Sequence, residues 1–275
     1  MRNPDNKNYW ALILGASSGF GEAASLKLAE DGYNILGVHL DRQATMANVE
    51  RITSQIKSFG SEAIFYNINA ADASKRSEII SELKSKSNGK PFIKILMHTL
   101  AFGTLRKFVP DAGEEGLTKA QMEMTSDVMA HSLVYWTQDL VVNKLITKKA
   151  RIFAMTSSGG HAAIPYYRAV SAAKAALESH VRQLALELGA FDISVNAIMA
   201  GVTDTPALRK IPGNEKMLEA AKMKNPFGRL TTPEDVAKAI TMLCGEGGDF
   251  ISGNVIGVDG AEYIVSFTGE KITYK

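Results

Sequence analysis

Tyr167 and Lys174 stand seven residues apart in the stretch PYYRAVSAAK, residues 165–174. On a helix, positions i, i+3, i+4 and i+7 share one face, so both side chains can point into one cleft. A phenol there donates a hydrogen bond to an oxygen gaining negative charge, and the ammonium stabilises the same anion. Tyr166 would be turned about 100° away on such a helix and reads as a core or surface tyrosine. Val170, one turn nearer the lysine than Tyr167, has no proton to give. Taken alone, a helical Tyr and Lys at this spacing are more often packing and a solvated charge, so the rest of the chain must decide.

A second group of residues suits a phosphate. The segment GASSGFGEA places Gly15, Gly19 and Gly21 around Ser17, Ser18 and Phe20, directly after an apolar run and at the start of a helical pattern. Small residues in a strand-to-helix turn let the backbone approach a pyrophosphate, whose charge meets the helix N-terminus. An ordinary tight turn would look similar, but its place after the first strand of an alternating chain favours nucleotide binding. Near the end of the next apolar run stands VHLDRQ, with His39 where a ribose-binding carboxylate is usual, then Asp41 and Arg42. The missing acid and Arg42 favour NADPH; Asp41, swinging in, would favour NADH. His39 also suits plain strand-end packing, and Arg42 a solvated helix residue.

These groups need a scaffold that brings them to one edge. Apolar runs at 9–15, 33–40, 62–68, 92–101, 150–158, 192–201 and 254–260 alternate with helix-period segments. Strands apolar on both faces, alternating with helices, predict an α/β fold: a doubly wound, Rossmann-type parallel sheet with helices on both faces. No linker or repeat interrupts it, so residues 1–275 read as one domain. The irregular stretch around 200–230 holds Pro206, Pro212, Gly213, Pro226 and Gly228 after a strand, so residues 202–228 are expected to form a small substrate lid.

Composition bounds the function. A net charge of +2 excludes a general nucleic-acid footprint, and Cys244 is the single cysteine, which implies a reducing compartment. The polar start MRNPDNKNYW lacks the apolar core of a signal peptide, and no stretch reaches the ~20 apolar residues of a membrane span, so a cytoplasmic protein is expected. The five histidines show no metal-ligand spacing, and His98 and His161 read as polar lining. No Ser-His-Asp arrangement is apparent.

The G-x-x-x-G-x-G spacing resembles the short-chain dehydrogenase/reductase family, and further landmarks follow over residues 9–262. Asn69 stands where that family usually has an adenine-contacting aspartate. HTLAFG (98–103), including Ala101, stands at its NNAG, TSS (156–158) ends the fifth strand, and AGVTDT (200–205) replaces PGxxxT. The family's usual tyrosine four residues before the lysine is replaced by Val170; the Y-x6-K spacing of Tyr167 and Lys174 is that of its enoyl-acyl-carrier-protein reductases. Asp127, where most members have asparagine, and the stretch TDTPALRKIPGNEKMLEAA resemble the NADPH-dependent members of that branch. The resemblance implies Tyr167 and Lys174 as catalytic residues, with Ser157 at the usual serine position lining the site. It also implies cofactor contacts from Gly201, Thr203 and Thr205, with Lys174 on the nicotinamide ribose, and a homo-oligomer, tetramer or dimer.

The shift has a chemical reason. Carbonyl reduction needs a proton on the oxygen of the carbon that takes the hydride. Reduction of an α,β-unsaturated thioester puts hydride on the β-carbon and charge on the thioester oxygen, two atoms further away. Moving the phenol one turn outward follows that oxygen. Arg209, Lys210, Lys216, Lys222, Lys224 and Arg229, against Glu215 and Glu219, would suit an acyl carrier protein or the phosphates of coenzyme A, though a solvated helix face reads the same way. Met199, Met217 and Met223 would form an adaptable wall for an acyl chain, or plain core. The expected function is NAD(P)H-dependent reduction of an enoyl thioester in fatty-acid synthesis. The alternatives are a carbonyl or alcohol oxidoreductase of the same fold, and a nucleotide-binding sensor or scaffold without catalysis.

Overall fold

Strands buried along their whole length belong inside a sheet covered on both faces. In the computed structural model, which describes residues 4–266 and 269, β1 (Trp10–Leu14) and β2 (Asn34–His39) are buried at every position. They are joined by β3 (Ala63–Asn67), β4 (Ile93–His98), β5 (Ile146–Thr156), β6 (Ser194–Ala200) and β7 (Val255–Val258). The seven strands form one sheet in the order β3-β2-β1-β4-β5-β6-β7, and every pairing is parallel. The expected Rossmann-type architecture is present, and the described elements form one domain. The ends of the span read as 1–275, residues 1–3, 267–268 and 270–275, lie outside the described residues.

Helices cover both faces. α1 (Gly19–Glu30), α2 (Met46–Ser58) and α8 (Pro233–Cys244) bury Leu28, Ile52, Ile56, Val236 and Ile240 against one side. α3 (Ala73–Lys86), α5 (Ser132–Val142) and α6 (Arg168–Leu188) place Leu83, Trp136, Leu177 and Val181 on the other. Side-chain caps fix several starts. Thr118 and Gln121 form a capping box on α4 (Lys119–Ser126), and Thr232 and Asp235 form one on α8, with Pro233 in its first turn. Between α4 and α5 one wide π turn, Asp127–His131, keeps the two helices nearly continuous.

The chain runs outward from β1 to β3, then returns to β4 on the other side of β1. That reversal opens a crevice at the carboxyl ends of β1 and β4, where ligands of such sheets bind. Gly15 and Thr99 stand at its two lips, and the ends of β5 and β6 continue it. The segment 202–228 lies over this edge as an irregular stretch with one short turn, Leu208–Lys210, followed by α7 (Asn214–Lys224).

Candidate active site

The glycine turn is shaped by what cannot fit there. Gly15 has φ 94°, which favours glycine, and a Cβ on it would stand 2.5 Å from Thr99 Oγ1. A Cβ on Gly21 would collide with the carbonyl of Gly15. Thr99 Oγ1 donates to Leu14 O at 2.9 Å, and Asn48 Nδ2 to Ser17 O at 2.8 Å, so the turn is held from both sides. Ser18 occupies the capping position of α1 without making a capping bond, which leaves the first helical N–H groups to meet a phosphate. Gly15, Ser17, Ser18, Gly19, Phe20 and Gly21 thus fit the pyrophosphate of a dinucleotide.

At the adenosine end, His39 is buried and its Nδ1 lies 2.9 Å from Asp41 Oδ2. Thr45 Oγ1 donates to Asp41 Oδ1 at 2.6 Å. Burial alone would raise the Asp41 carboxyl, but hydrogen bonds from Ser17, Thr45 and His39 together hold it below the usual range. An ionised carboxylate therefore stands against the glycine turn. Arg42, beside it, is exposed. Asn69 uses its Oδ1 on Ala71 N at 3.0 Å, fastening the turn after β3.

The tyrosine and the lysine meet in one cavity of about 250 Å³, whose lining includes Phe20, Ala101, Ser157, Tyr167, Val170 and Lys174. The expectation that Tyr167 sits within a helical turn needs correction. α6 begins at Arg168, and Tyr167 is its capping residue, its carbonyl accepting from Val170 N and Ser171 N at 2.9 and 3.2 Å. Tyr166 and Arg168, on either side, have φ of 67° and 36°. Tertiary contacts impose this corner: Arg168 donates to Leu105 O and lies 5.3 Å from the Tyr166 ring centre. Tyr166 turns away, 43% exposed, through its left-handed backbone rather than through helical rotation.

Tyr167 packs on Gly159, where a Cβ would run into its ring. Burial raises its phenol and a hydrogen bond with Ser157 acts the other way, so the hydroxyl stays protonated at neutral pH. Ser157 Oγ also accepts from Gly159 N at 3.2 Å. Lys174 is 5% exposed and its Nζ donates to Met155 O at 2.7 Å. Burial brings its ammonium down to about 8, opposed by the charge of Glu178.

Gly201, Thr203 and Thr205 line the same cavity, as do Met199 and Met217; Met223 does not, and is exposed. Lys210 and Lys224 line it too, but Arg209 pairs with Asp204 at 2.7 Å and Arg229 with Asp235 at 2.5 Å. The positive excess expected of the lid is therefore smaller than a count against Glu215 and Glu219 implies. Neither histidine is simple lining. His98 is fully buried, bonded through Nε2 to Ser132 Oγ at 2.9 Å, and pushed down to about 3 by burial and the nearby Lys174 charge. His161 Nε2 meets Glu178 Oε2 at 2.7 Å. Asp127 starts the π turn and is hydrogen-bonded by Tyr135 rather than lining the cavity. Glu178 and Glu262, both buried, were not anticipated; Glu178 four residues after Lys174 on one helix face was the available signal. Among the described residues no three His, Cys, Asp or Glu side chains gather as a metal site.

A model of the family described as enoyl-(acyl carrier protein) reductase matches residues 15–261. The chain belongs to that family of short-chain dehydrogenases/reductases. It is an oxidoreductase of that family's fold, and no helix among the described residues is long and apolar enough to cross a membrane. It is 29% identical over 231 residues to the NADH enoyl-[acyl-carrier-protein] reductase of Aquifex aeolicus, covering 83% of this chain and 82% of that protein. It is 26% identical over 249 residues to a 3-oxoacyl-[acyl-carrier-protein] reductase of Thermotoga maritima, covering 90% and 95%. The crystal structure of the Aquifex enzyme superposes with a TM-score of 0.81 at 24% identity, over 95% of this chain and 99% of that one.

Proposed function

We propose that this enzyme reduces the C=C bond of an enoyl thioester, with hydride from a nicotinamide cofactor. The observation that carries the reading is the placing of Tyr167 and Val170 in one cavity: the phenol enters at the first turn of α6, and position 170, nearer the lysine, presents only methyl groups. Bound in the crevice, the cofactor would supply the hydride to the β-carbon, and a proton from solvent would complete the saturated thioester at the α-carbon. Tyr167 donates a hydrogen bond to the thioester oxygen as it becomes an enolate oxygen, and Ser157 steadies the hydroxyl. Lys174 holds ribose hydroxyls and adds positive charge. Leu100, Leu105, Met129, Ile164, Met199 and Ile211 supply an apolar wall for the acyl chain.

For the cofactor, the missing acid at position 39 and the nearby Arg42 are the reasons to expect NADPH. The hydrogen-bonded, ionised Asp41 against Ser17 instead supports NADH, because it would bond ribose hydroxyls and repel a 2′-phosphate. The thioester's carrier, acyl carrier protein or coenzyme A, would approach past Lys210 and Lys224. Steady-state assay of crotonyl and acetoacetyl thioesters with each cofactor tests the proposal. Crotonyl reduction is the expected outcome; oxidation of cofactor with acetoacetyl thioester alone would make the enzyme a carbonyl reductase.

A further inference from the structure

A buried carboxylate stands directly behind the proposed catalytic pair. Glu178 lies one turn after Lys174 on α6, both on its buried face, and is 3% exposed. Each carboxylate oxygen has a side-chain partner: Thr156 Oγ1 donates to Oε1 at 2.5 Å, and His161 Nε2 meets Oε2 at 2.7 Å. The last two residues of β5 therefore fasten α6 twice, Met155 through its carbonyl to Lys174 and Thr156 through its hydroxyl to Glu178. The turn that follows, Ser158–Gly160, is clasped between Tyr167 and Glu178. A Cβ on Gly159 would strike the Tyr167 ring, and one on Gly160 would stand 3.0 Å from Glu178 Oε1.

We propose that Glu178 is a positioning residue that keeps Lys174 charged and holds the Ser157–His161 turn against Tyr167. This rests on the proposed reductase chemistry only for its rate readout; the charge relation holds for any cofactor-binding role. An ammonium taken out of water loses its hydration and tends to give up its proton, and a carboxylate one helical turn away opposes that. Lys174 is on the same helix, His161 comes from the turn, and His98 comes from β4 and is neutral. Tyr263, from the segment after β7, covers the His161 ring at 6.4 Å. Glu178 is the anion that opposes the loss of charge at Lys174, and its partner His161 is 43% exposed along its side chain.

The sign follows. Lys174 binds its proton less tightly in the folded protein than in the unfolded chain, and removing Glu178 weakens it further. NADH affinity, measured by fluorescence without acyl substrate, should fall as pH rises through about 8 in the wild type. In Glu178→Gln that limb should move to lower pH, and Glu178→Asp should restore most of it. An unmoved limb in a folded Glu178→Gln protein overturns the proposal, whatever the enzyme reduces. The limb of kcat/KM for crotonyl thioester should move with it. Loss of that activity alone, with the binding limb moved as expected, would count against the reductase reading and not against Glu178. Should Glu178→Gln fail to fold, the double variant Glu178→Gln/Lys174→Met leaves no ammonium to compensate. Its melting temperature should recover towards wild type; an unrecovered one overturns the proposal.

Discussion

At the scale of single residues, the two tyrosines make the sharpest contrast. Tyr167 is enclosed beside Ser157 and Lys174, and Tyr166 faces outward with its ring on Arg168. Removing a hydrogen-bond donor aimed at developing negative charge costs about 10²–10³ in turnover. Tyr167→Phe should lose on that order in kcat for a crotonyl thioester with cofactor affinity nearly unchanged, and Tyr166→Phe should lose little. Equal losses would show that the donor is assigned wrongly. The cofactor question also rests on one residue. Asp41→Ala should raise the NADH Michaelis constant about tenfold or more, the worth of a charge-assisted hydrogen bond, and ease NADPH binding. Arg42→Ala should leave NADH unaffected. A wild type that prefers NADPH, and loses that preference in Arg42→Ala, would reverse the assignment.

At the scale of elements, the turn after β5 and the segment 202–228 differ in how they are held. The turn has no room: Gly159 lies under the Tyr167 ring, its carbonyl accepts from Ser171 Oγ, and its N–H bonds Ser157. Gly159→Ala should displace the phenol and lower kcat more than tenfold, since a misplacement near 1 Å can cost 10²-fold. Its melting temperature should change far less than its rate. The segment 202–228, which we propose as a lid, is fastened mainly at its ends. Glu262 accepts from Val202 N at 3.2 Å, and Asn225 Nδ2 donates to Asp259 O at 2.8 Å. Between them Ile211 and Ala221 are buried and most other residues are exposed or half-buried. Amide exchange across 203–224 should therefore be faster than in β5 or β6, and should slow when cofactor and an acyl thioester are bound. Exchange already as slow as in the strands would make the segment part of the core.

At the scale of the whole molecule, one buried cation joins distant parts of the chain. Arg151, on β5, pairs with Asp249 and donates to Leu243 O at 3.1 Å and to Lys149 O at 2.9 Å. It binds the middle of β5, five residues before Thr156 and the site, to the connection between α8 and β7. Arg151→Ala leaves the carbonyls of Leu243 and Lys149 without this donor, while the exposed Asp249 keeps Lys149 at 3.2 Å. Leaving a buried hydrogen-bonding group unsatisfied costs about 1–3 kcal/mol. Calorimetry should show a clear fall in melting temperature, with kcat and KM near wild type at low temperature where the protein stays folded. A rate loss equal to that of Tyr167→Phe would mean that Arg151 and the site are coupled.

What the sequence determined by itself was the alternation and the landmarks set in it. Seven apolar runs bounded by helical patterns dictate a parallel sheet because strands buried on both faces cannot do without helical covers, and each run became a strand. The glycine spacing was legible for the same local reason: a positive φ and a lack of room for Cβ are met by residue type within one turn. Tertiary structure decided what lies between segments. Helical periodicity placed Tyr167 and Lys174 on one face, but the start of α6 was settled by Arg168 reaching Leu105, sixty-three residues away. The fate of Arg209 and Arg229 depended on side-chain reach to Asp204 and Asp235, which a charge count over 209–229 cannot register. Glu178 escaped notice because a charged residue on a helix is ordinarily a solvated one. Only the packing of β5, the Ser158–Gly160 turn and α6 around it made its charge a buried one, where partners rather than water set its effect.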